Sequence, residues 1–426
     1  MHRIDRRTML ARLGASGALA LAPSIARGAA GRVVVVGGGF GGATAAKYLK
    51  RFDPALDVTL VEPAARFYTC PFSNLVLGGL RDMASIGHGY DELVSRYGVT
   101  HVRVSAEAID TAAKTVTVSG GEKLEYDRLL LSPGIDIKWG ALAGYDMAAA
   151  EKAPHAWKAG AQTELLRRQL EAMEDGGVFV LVAPENPFRC PPGPYERACM
   201  VAHYFKTHKT RSKVLILDAK DRFSKQPLFM QGWQQVYGDM IEWVPISKDG
   251  KVVRVDANAR EVETEFGTRH KAAVLNVVPP QKAGNIAAAA GLVDEAGWAP
   301  VEPRTFESTL APDVYVVGDA SIAAPMPKSG FCANSQGKVA AAAIVASLAG
   351  REAPQPSWAN TCYSTIAPDY GISVAGVYAI AEGKIVQVPG SGGVSPMDAS
   401  AEFRKLEAEY AVGWYESIAS DTWGTA

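Results

Sequence analysis

The chain has 426 residues, 48% of them hydrophobic, which is enough to bury two or three cores of ordinary size. Its 44 basic and 45 acidic side chains nearly cancel, which argues against a nucleic acid or an anionic membrane as partner. Past residue 31 no apolar run is long enough to span a bilayer. The five cysteines lack the spacing of a c-type haem, an iron–sulfur cluster or a zinc site, and the seven histidines show no metal-ligand spacing.

Residues 1–30 read as a leader. Arg6-Arg7-Thr8-Met9-Leu10 precedes an apolar stretch to Pro23, and Ala26-Arg27-Gly28-Ala29-Ala30 offers small residues for cleavage. This pattern predicts twin-arginine export, a mature chain beginning near Gly31, and a periplasmic location, where a disulfide can persist.

Arg32–Gly37 predicts a buried parallel strand, 42–52 a helix, and Asp57–Val61 a second strand closing at Glu62. Alternating residues at His101–Val104 and Thr115–Val118 predict small antiparallel strands. A polar helix over 162–173 leads into a second βαβ unit: strand Val178–Val182, helix 195–207, strand 214–218. Further strands are expected at 273–278 and Val314–Val317, with an Ala-rich helix over 337–348. The tail beyond 351 is rich in Pro, Gly and aromatic residues, with one amphipathic helix near 401–417. The order is α/β: a flavin domain (31–150 and 285–350) interrupted by a second nucleotide-like domain (151–284) and closed by a C-terminal cap (351–426).

Gly37, Gly39 and Gly42 have the G-x-G-x-x-G spacing between that first strand and helix. The glycines allow a tight turn, close approach of a pyrophosphate, and packing of helix on strand. The helix N-terminus would face the phosphates, and Glu62 would take the adenosine ribose hydroxyls. Asp319, in Val316-Val317-Gly318-Asp319-Ala320, repeats the strand-end aspartate that bonds the ribityl chain of such flavoenzymes. Together these predict FAD.

The second unit has no such glycines. Ala183-Pro184-Glu185-Asn186-Pro187-Phe188-Arg189-Cys190-Pro191-Pro192 stands where a nicotinamide site would need them, so the electrons must come from another donor. Cys190 and the distant Cys362 could form a redox disulfide facing the flavin, or a structural one, or remain two buried thiols. Glu196 is a candidate general acid or base, or a charge complementing its helix dipole. Cys70 could reach the flavin ring edge as a thioether or be a plain buried thiol. Cys199 reads as core, and Cys332 has no evident partner.

The mature chain resembles the flavoprotein subunit of flavocytochrome c sulfide dehydrogenase. The likeness lies in Val35-Val36-Gly37-Gly38-Gly39 through Glu62, Tyr68-Thr69-Cys70, Pro154-His155-Ala156-Trp157-Lys158-Ala159-Gly160, and Phe188-Arg189-Cys190-Pro191-Pro192-Gly193-Pro194-Tyr195-Glu196-Arg197. It continues in Gly318-Asp319-Ala320-Ser321-Ile322-Ala323, Ala333-Asn334-Ser335-Gln336-Gly337-Lys338 and Asn360-Thr361-Cys362-Tyr363-Ser364, and departs at Pro71-Phe72.

The resemblance implies a glutathione-reductase-like, two-dinucleotide-fold flavoprotein with a C-terminal interface domain. It also implies FAD held covalently by Cys70 through its 8α position, and a redox disulfide Cys190–Cys362 with Glu196 nearby. Sulfide would be oxidised to sulfane sulfur or polysulfide, and the electrons would leave to a c-type cytochrome subunit. The competing readings are a sulfide:quinone oxidoreductase, ranked lower because 401–412 is rich in charge, and a flavin electron-transfer subunit whose cysteines are structural.

Overall fold

The computed structural model describes residues 31–424, so the twin-arginine leader expected over residues 1–30 lies outside the described residues. Five parallel strands form the first sheet: β1 (Arg32–Val36), β2 (Asp57–Val61), β3 (Thr100–Val102), β4 (Arg128–Leu131) and β5 (Val314–Val316), in the order β5-β4-β1-β2-β3. The run of valines in β1 is buried, as expected of a strand covered on both faces. Helix α1 (Phe40–Phe52) follows β1 directly and packs against α2 (Gly330–Leu348), the helix behind β5.

The second sheet is also parallel, with β6 (Val178–Ala183) beside β7 (Lys213–Asp218), and β8 (Ile241–Val244) and β9 (Val274–Val277) at its edges. Helix α3 (Gly193–His208) joins β6 to β7. An antiparallel pair, Ile135–Ile137 with Gln281–Ala283, lies between these two sheets in the chain. Tyr145 and Ala150 pack with Val180, Val182 and Leu275 in the core of the second sheet.

Two expectations change. The strand at 101–104 is Thr100–Val102 and pairs parallel with β2, because it returns through a crossover that its short alternation could not reveal. Helix α2 starts at Gly330 instead of 337, since Ser329 caps it by accepting from Cys332 N–H. The Pro-, Gly- and aromatic-rich tail forms a long hairpin, β10 (Ser357–Ala367) and β11 (Tyr370–Ala381), on which α4 (Ala401–Trp423) packs.

Gly371 allows that packing, because a Cβ there would lie 2.5 Å from the Ala408 nitrogen. The buried pair Arg404–Glu407 fixes it, with Glu407 also accepting from Ser373 and Ser395 hydroxyls. The outer side of this cap exposes Val394, Phe403, Leu406 and Tyr410, an apolar contribution that the charge count over 401–412 conceals. Among the described residues no helix is long and apolar enough to cross a membrane, and no cluster of His, Cys, Asp or Glu could hold a metal.

Candidate active site

The turn after β1 requires glycine at two places. Gly37 has φ +98°, and a Cβ on it would lie 2.4 Å from Ser132 O. A Cβ on Gly42 would lie 1.8 Å from Gly37 O, so only glycine lets α1 sit this close. Glu62, just past β2, accepts from Gly38 N–H and Ala64 N–H, both at 2.9 Å. Gly37 to Gly41 and Glu62 line one end of a cleft of about 1060 Å³ that runs to Cys70, Cys190 and Cys362.

Asp319 also lines the cleft, and its Oδ1 is buried without a hydrogen-bond partner. Burial raises its pKa against the pull of Arg189 and Lys328. An orphaned carboxylate oxygen facing a cleft with a dinucleotide loop suits a cofactor hydroxyl. The residues present therefore fit FAD: the glycine loop for the pyrophosphate, Glu62 for the adenosine ribose, and Asp319 for the ribityl chain.

Three distant segments deliver the cysteines. Cys70 follows Thr69, whose buried hydroxyl meets Tyr415 OH at 2.9 Å, and Cys70 O accepts from Ser73 N–H and hydroxyl. Cys190 sits in the left-handed region at φ +59°, held by its N–H to Lys328 O and by Gly193 N–H to its own carbonyl. Gly193 is needed because a Cβ would lie 2.7 Å from the Trp157 ring and 3.0 Å from Cys190 Sγ. Cys362 lies within β10, where Lys225 Nζ donates to its carbonyl at 3.2 Å and to Ser364 Oγ at 2.8 Å.

All five cysteines are thiols in this structure. Cys190 is hydrogen-bonded to Cys70, and Cys362 is close enough to affect it electrostatically. The shared hydrogen bond lowers the Cys70 pKa and raises that of Cys190, with burial raising both. Burial also raises Cys362, opposed by Lys225.

Glu196 lies behind this group. It accepts from Thr365 N–H at 2.9 Å and Asn74 Nδ2 at 2.8 Å, and burial raises its pKa nonetheless. Of the other thiols, Cys199 accepts from Trp233 Nε1 at 3.1 Å in the core, and Cys332 is buried against Asn360.

Sequence reading missed the cations around the cysteines. Arg197 is fully enclosed, donating to Asn74 Oδ1, Asn276 Oδ1 and the carbonyls of His155 and Ala156. Arg189 lines the cleft and Lys225 backs Cys362. Arg189 and Arg197 flank Cys190 in the chain, but no periodicity marks them, and Lys225 lies in a segment without a motif.

In the second sheet the corresponding acid is closed in. Asp218 ends β7 as Glu62 follows β2, yet it is fully buried and accepts from Tyr195 OH at 2.6 Å, Lys220 Nζ at 2.6 Å and Trp243 Nε1 at 2.9 Å. The Tyr195 and Phe223 rings stack at 3.5 Å beside it.

Comparison with known proteins agrees with this geometry. Residues 163–279 match the central region of the sulfide dehydrogenase [flavocytochrome c] flavoprotein chain, and 354–423 match the flavocytochrome c sulphide dehydrogenase flavin-binding region. Residues 31–174 match the pyridine nucleotide-disulphide oxidoreductase model. The flavoprotein chain of sulfide dehydrogenase from Chlorobaculum thiosulfatiphilum is 71% identical over 45 residues, covering 11% of this chain and 94% of that one. A mitochondrial sulfide:quinone oxidoreductase from Dictyostelium discoideum is 23% identical over 315 residues, 72% of this chain and 69% of that protein. The structure of sulfide:quinone oxidoreductase from Aquifex aeolicus superposes with a TM-score of 0.69 at 18% identity, covering 93% of each chain, and shares the fold. The glycine loop, the cysteine-lined cleft and these matches together place the chain in the family of flavocytochrome c sulfide dehydrogenase flavoprotein chains.

Proposed function

We propose that the chain is the flavoprotein subunit of a periplasmic sulfide:cytochrome c oxidoreductase. The observation that carries this reading is the convergence of Cys70, Cys190 and Cys362 on the cleft that holds the dinucleotide loop. In the resting enzyme Cys190 and Cys362 would form a disulfide, and Cys70 would hold FAD covalently. Hydrosulfide attacks one sulfur of the disulfide; the S–S bond breaks, a cysteine persulfide forms, and the other cysteine leaves as a thiolate. A second hydrosulfide takes the outer sulfur as hydrogen disulfide, leaving two reduced cysteines and one electron pair to be withdrawn as the disulfide re-forms. When bound, the flavin supplies an acceptor that takes electrons in pairs and can release them singly.

The chain's own groups support the sulfur steps. Arg189, Arg197 and Lys225 favour an anionic nucleophile and an anionic leaving group. Glu196, held by Asn74 and Thr365, is placed to move a proton beside Cys190 and Cys362. The twin-arginine pattern of residues 1–30 supports the compartment, and the match to the flavoprotein chain of a flavocytochrome supports a haem subunit as acceptor. The exposed apolar side chains of the C-terminal cap offer that subunit a surface.

A second reading, sulfide:quinone oxidoreduction, is favoured by the relatives that match most of the chain. Anaerobic sulfide titration of the full chain, with cytochrome c or a soluble quinone as acceptor, separates the two. Bleaching of the flavin that Cys362→Ser abolishes, with cytochrome c reduced faster than quinone, supports the first reading. Faster quinone reduction selects the second, and bleaching that survives Cys362→Ser removes the redox disulfide from both.

A further inference from the structure

The carbonyl of Gly38 accepts two side-chain hydrogen bonds from behind the phosphate loop, from Trp423 Nε1 at 3.0 Å and Tyr90 OH at 3.2 Å. Both donors are buried. The Gly38 N–H is held in turn by the Glu62 carboxylate. A trans peptide is planar, with its C=O and its N–H pointing in opposite directions. Anchoring the Gly38 oxygen on the protein side therefore aims the Gly39 N–H at the cleft that Gly38, Gly39, Phe40 and Gly41 line. Among the described residues no backbone carbonyl or side chain accepts from that N–H.

Trp423 reaches the loop from the last turn of α4. Its indole packs against Phe40 at 4.8 Å and stacks on Phe67 at 5.4 Å and His88 at 4.8 Å. The turn is fastened to α1 and α2 by other groups. Lys47 Nζ donates to the carbonyls of Ser420, Asp421 and Gly424, and Asp421 accepts from Tyr48 OH and pairs with Lys338. The loop's orientation thus depends on a residue almost four hundred positions downstream, through a contact that leaves the indole outside the cleft.

We infer that Trp423 and Tyr90 are positioning residues for the cofactor's pyrophosphate, acting through the Gly38–Gly39 peptide. The glycines give the loop its shape, and the two donors keep one peptide plane from rotating its N–H away from the phosphate. The inference is independent of what the cysteines do.

The test uses the full-length Cys70→Ser protein, in which no thioether forms and FAD binds reversibly. Trp423→Phe keeps the ring stack and removes the N–H. It should raise the FAD dissociation constant about fivefold, the effect of one hydrogen bond. It should also shift the 31P resonances of the bound pyrophosphate in the holoprotein. Tyr90→Phe should act in the same direction. Tyr48→Phe loosens the same helix turn without touching Gly38, and should leave both readouts close to those of the parent. Unchanged affinity and 31P resonances in Trp423→Phe overturn the inference. An equal effect from Tyr48→Phe overturns it too, because helix docking in general would then account for the loss.

Discussion

The Cys70 and Cys190 thiols share a hydrogen bond although 120 positions separate them, and that bond divides their roles. The S–H of Cys190 favours the thiolate on Cys70, while Cys190 itself is pushed well above the ordinary thiol range. A lowered Cys70 pKa is what the proposed tether asks of the residue that forms a bond to carbon. In wild-type holoprotein the flavin should stay with the polypeptide after denaturation. In Cys70→Ser it should be released into the filtrate. Intact mass under denaturing conditions reads this directly, and release from the wild type removes the tether.

Glu196 makes a prediction with a sign. Burial raises its pKa above 4.5, so it keeps its proton to a higher pH than an ordinary carboxylic acid. If the ionised form accepts a proton during the sulfur steps, sulfide-driven flavin reduction falls as pH drops through this raised value. Glu196→Gln should lower the rate roughly a hundredfold, the usual contribution of general acid–base catalysis, and remove that acid limb. Gln keeps one acceptor oxygen, for Thr365 N–H, and loses the bond from Asn74 Nδ2, so its fold is checked alongside the rate. Stopped-flow traces across pH check both parts, and an acid limb that persists in Glu196→Gln assigns it to another group.

Much of this site was legible because its parts obey local rules. Gly37, Gly42 and Glu62 sit at fixed offsets from one strand, and each offset has a steric or hydrogen-bonding cause. Asp319 was legible for the same reason, being placed by the end of β5 and the start of α2. The hairpin carrying Cys362 was not, since it is held by α4 and by the Ser373 hydroxyl bonded to Glu407, contacts of long sequence separation that leave no period. Arg197, Lys225 and Trp423 escaped likewise. Each acts through contacts across the fold, and a single residue makes no pattern.

Asp218 shows why the second nucleotide fold should not take NAD(P)H. Its carboxylate already accepts from a tyrosine, a lysine and an indole, all pointing inward, so a ribose would have to displace a closed network. NADH and NADPH should leave the flavin spectrum unchanged under anaerobic conditions. Asp218→Asn should destabilise the fold by roughly 3 kcal/mol, as expected when one member of a buried ion pair is neutralised. Urea unfolding measures the second effect, and bleaching by NADH would contradict the first.

His155 links the site to pH through stability. It is buried, and its Nδ1 accepts from Trp157 N–H at 2.9 Å, so that bond requires the neutral ring. Burial, aided by Arg197, Lys158 and Arg189, lowers its pKa from 6.5 to about 3. The unfolded chain therefore binds the proton more readily than the fold. The stabilisation is complete above pH 6.5 and is lost progressively as pH falls toward about 3. Each pH unit in that window should cost up to about 1.4 kcal/mol through this residue. His155→Asn keeps an acceptor for Trp157 N–H and cannot titrate. Between pH 6 and pH 4 its unfolding midpoint should fall less steeply than that of the wild type, and parallel curves would show that His155 is protonated equally in both states.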